Sequence, residues 1–479
     1  MKPVALSRIA SWTHGRIAGA DARVGERPGV DVPGFDMPGF DMLIDAVSTD
    51  TRTLDARDGR ATLFVALKGE RFDGHEHVAT ALEAGARAAM VARPVDVAIP
   101  QLLVADTEHA LAALAAGVQH GRDGKVVAIT GSNGKTSVKT LALAILERAG
   151  RAYANPGNRN NEIGLPLAVI DAPEDAQFSI YEMGAGKPGD IAYLTAIARP
   201  DVALVNNVAP AHLERMGSLL GVADTKAAIY DALPPGGVAV INADDAFAPY
   251  FAERAHGRRL LRFGLEASAD LTARELVADA EGSRFVLVTP QGEVPVTLAL
   301  PGRHNVLNAL AAASLALGAG APLQAIGEGL AAARAVAGRL VAHRLTGGAL
   351  LIDDSYNANP GSLNAAIDTL ASSPGARWLV LGDMRELGAD AQALHAEAGR
   401  RAKAAGLARL FTLGPLSAAA SEAFGAGAAH FDSHEALADA VRAELGPEVR
   451  VLVKGSRGSA MDRVVRALLA ADKGDTHAA

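Results

Sequence analysis

The chain has 479 residues, more than one hydrophobic core serves, so about two to four domains are expected. Apolar residues make up 49% and charged residues 21%, an ordinary globular balance, and the net charge of −8 argues against nucleic acid or an anionic membrane as the main partner. The absence of cysteine excludes disulfides, thiolate metal sites and cysteine nucleophiles.

The N-terminal segment lacks the continuous apolar core of a signal peptide. From there, apolar runs of strand length alternate with helical patterns. The first part carries "LFVALKG" (63–69), "AAMVAR" (88–93) and "QLLVADT" (101–107), with the helix-like "HVATALEAGARA" (77–88) between the first two. Ahead of them, "PGFDMPGFDM" (33–42) is a tandem five-residue repeat rich in Pro and Gly, which reads as an expanded surface loop. The middle part offers strands at 125–130, 178–184, 201–208 and 237–245, and the last part at 349–355, 377–383, 408–414 and 449–455. Runs that are apolar without strict alternation read as buried parallel strands, and strands alternating with helices imply an α/β fold. The segment 262–300 differs, with two β-rich runs around "PQGE" that predict a hairpin or a small antiparallel addition. Domain boundaries fall near 106 and 342, dividing the chain into 1–106, 107–342 and 343–479. The most apolar helical run, 309–322, is too short to span a bilayer, so no membrane insertion is expected, and the expected compartment is the cytoplasm.

The stretch "AITGSNGKTSVKT" (128–140) carries chemistry. The general phosphate loop reads G-x-x-x-x-G-K-[ST]. Gly134, Lys135 and Thr136 supply its last three positions, but Ile129 stands where the first glycine should, and Gly131 comes two residues late. The turn follows the strand "KVVAIT" and precedes a helix whose apolar face includes Val138, Leu141, Ile145 and Leu146, with Gly150 as its stop. Unpaired N–H groups and the helix dipole favour an anion there. Lys135 can reach the β- and γ-phosphates of a nucleotide and Thr136 can hold Mg²⁺. The alternative is a plain turn with an incidental lysine.

Glu182 ends the next strand, and Asn207, His212 and Glu214 follow the one after it, with Lys226 shortly beyond. In open α/β sheets the ligand crevice lies at such strand ends. Singly, Glu182 reads as a surface charge, His212 as satisfying a loop carbonyl and Lys226 as a solvated helix residue. Together they suggest a metal–phosphate site.

With its short spacing, "TGSNGKTS" resembles the phosphate loop of the Mur ligase and folylpolyglutamate synthetase superfamily, whose members join an amino acid or peptide to a carboxylate at the expense of ATP. The resemblance covers nearly the whole chain. It implies three α/β domains: a UDP-substrate-binding domain, a central P-loop ATPase-like parallel-sheet domain and a C-terminal Rossmann-like domain. It implies that Thr130, Gly131, Ser132, Asn133, Gly134, Lys135, Thr136 and Ser137 bind ATP. It places Thr136 and Glu182 on one Mg²⁺ and His212 on another, and matches Lys226 to a lysine that the family often carries as a carbamate. The family's stretch after Glu182 often continues Asn-His, whereas Gly186-Lys187 stand here.

Other segments extend the likeness. Asn158, Asn160 and Asn161 match a substrate-facing segment, although Gly-Asn also favours turns. Asn305 in "GRHNVLNALAAASLA" matches the residue facing adenine. Arg339 and Asp354 match residues near the phosphates and the ribose. Ser48 and Arg52 in "STDTR", with residues 63–77, resemble a uridine-diphosphate-binding module. His75-Glu76-His77 reads as a helix start, because three adjacent residues cannot face one ion. "LGDMRELG" (381–388) and "VLVKGSRGSAMD" (451–462) look like signatures of the C-terminal domain. "DDSYNANPGS" (353–362) together with "VKGSRGSAMD" resembles the members that add D-alanyl-D-alanine to UDP-N-acetylmuramoyl-tripeptide, and the Asp-Asn-Pro-Arg signature of the diamino-acid-adding members is not found. The resemblance thus implies those two substrates, ATP and Mg²⁺, and a monomer is expected. Two alternatives remain open at this point: another amide ligase of the superfamily, and a nucleotide-gated binding protein using the same loop.

Overall fold

A computed structural model of the chain describes residues 1–18, 41–210, 213–278 and 282–475. The repeat at 33–42 lies outside the described residues except for its last two, Asp41 and Met42. These two seat the first helix, Leu6–Trp12: the Leu6 N–H donates to the Met42 carbonyl at 2.8 Å and the Ser7 N–H to the Asp41 carboxylate at 3.1 Å.

Mixed α/β architecture runs throughout. A five-stranded sheet has the order Arg16–Ala18, Gln101–Leu103, Ala86–Val91, Thr62–Val65, Ala46–Ser48, parallel except at the Arg16–Ala18 edge. A six-stranded sheet has the order Ala152–Ala154, Phe178–Glu182, Lys125–Thr130, Val202–Val205, Val238–Asn242, Arg259–Phe263. A second six-stranded sheet, in the order Val341–Arg344, Leu350–Asp354, Val449–Lys454, Ala376–Gly382, Arg409–Leu413, Ala428–Phe431, is parallel except for its first strand. Its two faces bury separate apolar clusters, one around Leu363, Ile367 and Leu379 and the other around Leu351, Val451 and Val464. That double burial explains why these strands read as unbroken apolar runs. Strand Val341–Arg344 includes residue 342, the expected boundary.

One difference from expectation has a local cause. "LFVALKG" is not one strand: Thr62–Val65 ends where the Leu67 carbonyl accepts the Gly74 N–H at 2.7 Å, and Lys68–Gly69 pairs instead with Phe72–Asp73. The antiparallel addition expected in 262–300 is a three-stranded sheet, in which Thr272–Ala278 joins the hairpin of Ser283–Thr289 and Gly292–Leu298. The added strand is poorly buried and irregular in register after Arg274, with Glu275 at φ 56°, so no alternating pattern announces it.

The chain divides into two compact units. One comprises Met1–Ala128, Arg151–Gly184 and Ala192–Pro200; the other comprises Ile129–Gly150, Ala185–Ile191 and Asp201–Ala479. Among the described residues no helix is long and apolar enough to cross a membrane.

Candidate functional site

The loop after strand Lys125–Thr130 lies in the second unit with most of the expected nucleotide-binding residues. The helix begins at Lys135, with Gly134 as its N-cap at φ 79°, and it ends at Gly150 as expected. Both glycines in the loop are required. A Cβ on Gly134 would stand 2.5 Å from Asn308 Oδ1 and 2.6 Å from Asn206 Nδ2, and Gly131 has φ 149° with a Cβ position 3.0 Å from the Asn206 side chain.

Amide side chains hold the loop in shape. The Asn133 N–H donates to Asn207 Oδ1 at 2.8 Å, and the Asn133 carbonyl accepts from Asn206 Nδ2 at 3.0 Å and Asn207 Nδ2 at 3.1 Å. Ser132 Oγ donates to the Ala209 carbonyl at 3.0 Å and accepts the Ala209 N–H at 2.9 Å. From much further along the chain, Asn359 Nδ2 donates to Asn133 Oδ1 at 2.7 Å. Asn206 Nδ2 also donates to Asn308 Oδ1, and Asn308 Nδ2 to Asn305 Oδ1, both at 3.2 Å. Lys135 Nζ folds back onto the Gly131 carbonyl at 2.7 Å, so its ammonium sits over the loop where an anion would be met.

Arg339 and Asp354 meet the same region. Arg339 donates to Thr136 Oγ1 at 2.9 Å and lies 4.5 Å from the centroid of the Tyr356 ring. Asp354 and Lys454 are register partners at the ends of neighbouring parallel strands, and Lys454 Nζ donates to Asp354 Oδ2 at 2.5 Å and to the Asn357 carbonyl at 3.0 Å. Burial raises the Asp354 carboxyl pKa, and the charges of Lys454 and Arg339 oppose that rise. His304, at the start of the helix Arg303–Gly318, is lowered to about 4, chiefly by burial and then by the Lys454 charge. Asn305 is 5% exposed, and its amide donates to the Pro301 carbonyl at 2.8 Å.

Lys226 is not a solvated helix residue. It is 2% exposed in the helix Leu219–Asp231, and its pKa is lowered to about 7 by burial first and the Lys135 charge second. The helix is capped by Ser218 Oγ, which accepts the Gly221 N–H at 3.1 Å. A large fraction of neutral amine at neutral pH follows. His212 lies outside the described residues.

Glu214 is exposed in the second unit, and the remaining expected residues lie in the first. Glu182 is 3% exposed at its strand end. Asn155 clamps its backbone, accepting the Glu182 N–H at 2.9 Å and donating to its carbonyl at 3.2 Å, while Asn160 Nδ2 donates to Glu182 Oε1 at 2.9 Å. Asn161 Oδ1 accepts the Gly164 N–H at 2.8 Å, which is turn formation, and Asn158 is exposed. Ser48 Oγ donates to the Asp50 carbonyl at 3.0 Å, and Arg52 pairs with Asp50 at 2.7 Å. His75 lies in the short 3₁₀ turn Gly74–His77, with Nδ1 2.6 Å from the capping Asp73 and Nε2 accepting the Ala92 N–H at 2.8 Å.

Sequence reasoning missed the clamping roles of Asn206, Asn308, Asn359 and Lys454. Each stands inside a stretch singled out for another residue, so the available signal was the number of amides and the position of the lysine at a strand end.

A parallel strand, a glycine-bent loop with Lys-Thr and a helix N-terminus define a nucleotide-phosphate-binding α/β protein. The pattern of the Mur ligase middle domain matches residues 129–316, and that of the Mur ligase glutamate ligase domain matches residues 338–457. The UDP-N-acetylmuramoyl-tripeptide–D-alanyl-D-alanine ligase of Escherichia coli K12 is 46% identical, over 98% of this chain and 99% of that relative. A solved MurF structure from Acinetobacter baumannii superposes with a TM-score of 0.88 at 32% identity, covering 98% of this chain and 99% of that one. A MurF ligase from Thermotoga maritima, solved in complex with ADP, gives 0.82 at 28% identity over 90% and 98%. The chain belongs to the Mur ligase family.

Proposed function

We propose that the protein is the ATP-dependent ligase that joins D-alanyl-D-alanine to UDP-N-acetylmuramoyl-tripeptide in peptidoglycan precursor synthesis. The observation that carries this reading is the cross-linked phosphate loop, onto which Arg339, Asn359 and Asn308 converge from distant sequence. Its likeness along nearly the full length to ligases of this specificity selects the substrates.

The chemistry follows from the groups. ATP lies with its phosphates on the amides of 130–137, with Lys135 and Arg339 facing the β- and γ-phosphates and Asn305 facing adenine. A carboxylate oxygen of the tripeptide attacks the γ-phosphorus, the bond to ADP breaks, and an acyl phosphate forms. The free amine of D-alanyl-D-alanine then attacks the acyl carbon. The C–O bond to phosphate breaks and the nitrogen gives up a proton, leaving an amide. Lys135 and the loop amides offset the charge that develops on the transferring phosphoryl group.

Mg²⁺ fits the donor set. Thr136 Oγ1 and the Glu182 carboxylate are hard oxygen donors of the kind Mg²⁺ takes, and an ion on Thr136 Oγ1 would take the place of the Arg339 guanidinium that now donates to it at 2.9 Å. Thr136 and Glu182 would hold one ion and His212 a second, and bound Mg²⁺ would neutralise phosphate charge. Lys226 acts as a carbamate, an anion that a metal site tolerates where an ammonium would be repelled. Ser48, Arg52, Asn158, Asn160 and Asn161 serve the UDP-linked substrate. The domains are 1–106, 107–342 and 343–479, the working unit is a monomer, and the compartment is the cytoplasm. Phosphate release measured with a panel of muramoyl nucleotides and amines tests the reading. Release that requires both UDP-muramoyl-tripeptide and D-alanyl-D-alanine is expected; release with a diamino acid in place of the dipeptide, or without an amine, would overturn it.

A further inference from the structure

The segment 205–208 carries Asn206 and Asn207, which hold the phosphate loop, and its own position is set by side chains that follow it in sequence. Tyr230 is buried, and its hydroxyl bridges two neighbouring parallel strands: it accepts the Val205 N–H at 2.9 Å and donates to the Val240 carbonyl at 2.8 Å. Asn242 Nδ2 donates to the Asn206 carbonyl at 2.9 Å. The Asp245 carboxylate accepts the Val208 N–H at 2.9 Å and the Phe247 N–H at 2.8 Å. Val205, Asn206 and Val208 are thus each tied by a side chain. Burial raises the pKa of the Tyr230 hydroxyl, so it stays protonated and keeps both of its bonds.

The fit against the loop leaves little slack. The Asn206 N–H donates to the Thr130 carbonyl at 2.8 Å, and the Asn207 carbonyl accepts the Ser132 N–H at 3.0 Å. A Cβ on Gly131 would stand 3.0 Å from the Asn206 Cβ and 3.3 Å from the Asn207 nitrogen. A small displacement of 206–207 therefore passes directly to the loop. Tyr230 also stands one helical turn after Lys226 on the helix Leu219–Asp231. The same hydroxyl thus governs how the helix carrying Lys226 seats on the sheet and how Asn206 and Asn207 leave their strand. The outer face of this helix is held differently. Arg254 reaches Asp224 and Asp231, whose side chains are 64% and 48% exposed, so those pairs are screened by solvent.

We infer that Tyr230 is a positioning residue: its hydroxyl locks the helix of Lys226 to the asparagine clamps of the phosphate loop, so that the lysine and the loop are held in one fixed relation. The kinetic side of this inference rests on the ligase reading above; its nucleotide-binding side rests on the loop alone. The aromatic ring and the hydroxyl have separable tasks. The ring fills apolar space beside Phe251, with centroids 5.8 Å apart, and a phenylalanine would fill it equally well. Only the hydroxyl joins Val205 to Val240, and its removal takes a bonding partner from a buried N–H and a buried carbonyl next to the loop's support.

The test is a double-mutant cycle in the full-length protein, read by steady-state kinetics with ATP, UDP-muramoyl-tripeptide and D-alanyl-D-alanine and by calorimetric titration with ADP. Tyr230→Phe should lower kcat about tenfold, weaken ADP binding about threefold and leave KM for the UDP substrate and the dipeptide within about twofold. Asn206→Ala should lose more. Adding Tyr230→Phe to it should cost no more than about a further twofold in either readout, because the hydroxyl acts through that asparagine. Arg254→Ala, which frees the outer face of the same helix, should keep kcat within about twofold. A Tyr230→Phe protein with normal kcat and ADP affinity overturns the inference. So do losses that multiply in the double variant, or an Arg254→Ala loss equal to that of Tyr230→Phe. A Tyr230→Phe chain that does not fold makes the hydroxyl a requirement of the fold and overturns its role at the site as well. If wild type joins no amine to the nucleotide, the ligase reading falls and the calorimetric cycle alone decides the inference.

Discussion

The phosphate loop and the Ser48–Arg52 segment are both assigned to nucleotide recognition, yet they are built in opposite ways. The loop's geometry comes from residues far away in sequence: Asn206 and Asn207 on its carbonyl side, Asn308 against Gly134, Asn359 on Asn133 and Arg339 on Thr136. Ser48–Arg52 satisfies itself. Ser48 bonds within its own turn, and Arg52 turns back on Asp50, whose carboxyl pKa is lowered to about 2 by Arg52 side-chain and backbone hydrogen bonds. With the Arg52 side chain 87% exposed, that pair is screened by solvent. The contrast teaches where rigidity is used. Groups meeting a transferring phosphoryl must be pre-positioned, whereas a group that grips a remote part of the substrate can exchange a local partner for the ligand.

The comparison can be broken at its strongest point first. Lys135→Ala should lower kcat by at least about a hundred- to a thousandfold with the thermal transition preserved, because its ammonium acts on phosphate charge and not on the core. Near-normal turnover of the purified variant would end the loop assignment. Gly134→Ala should also be close to inactive. A left-handed alanine costs about 1–2 kcal/mol, and its Cβ would push on Asn308 and Asn206 at 2.5 and 2.6 Å.

Lys226 comes next. Lys226→Ala should lose most activity and Lys226→Arg should not replace it, since arginine cannot shed its charge; an active Arg variant would remove the carbamate role. Carbamylation needs the neutral amine, so activity should fall as pH drops through about 7 and recover in part with added bicarbonate. The linked stability effect has a definite sign. A depressed folded pKa means that the unfolded chain binds the extra proton between about pH 7 and 10, so the lysine's burial cost is full below that window and fades as pH rises through it. Lys226→Met should therefore stabilise the protein more at low pH than at high pH in denaturant titrations.

Smaller effects should follow further out. Asn359→Ala removes one charge-neutral clamp on the loop, worth about 1 kcal/mol, and should reduce kcat severalfold while sparing KM for the UDP substrate. Arg52→Ala should do the reverse, raising that KM severalfold with kcat unchanged. Deletion of residues 33–37 should leave activity within a few-fold, and selective collapse of UDP-substrate binding would show that the repeat takes part in recognition.

The central strand, the loop and its helix were legible, the helix start to within one residue, because local patterns set them: the apolar run Val126–Ile129, glycines needed at positive φ and a helix with one apolar face. Lys226 was legible as a position and not as an environment. Nothing in "GVADTKAAIY" shows that the helix buries its lysine, together with Val222, Ile229 and Tyr230, within reach of the Lys135 charge. The asparagine clamps share that limit, since pairs such as Asn133 and Asn359 meet only through tertiary folding. Strand Thr272–Ala278 was hidden for the opposite reason: it is exposed on both faces and carries no period to read.

The most direct measurement follows oxygen through the reaction. UDP-muramoyl-tripeptide labelled with oxygen-18 in its terminal carboxylate is incubated with ATP, D-alanyl-D-alanine and the enzyme, and the released phosphate is examined by mass spectrometry. Attack of that carboxylate on the γ-phosphorus predicts one labelled oxygen in each phosphate formed, with the other retained in the new amide. Unlabelled phosphate accompanied by amide product would contradict the acyl-phosphate route, and with it the role given to the loop.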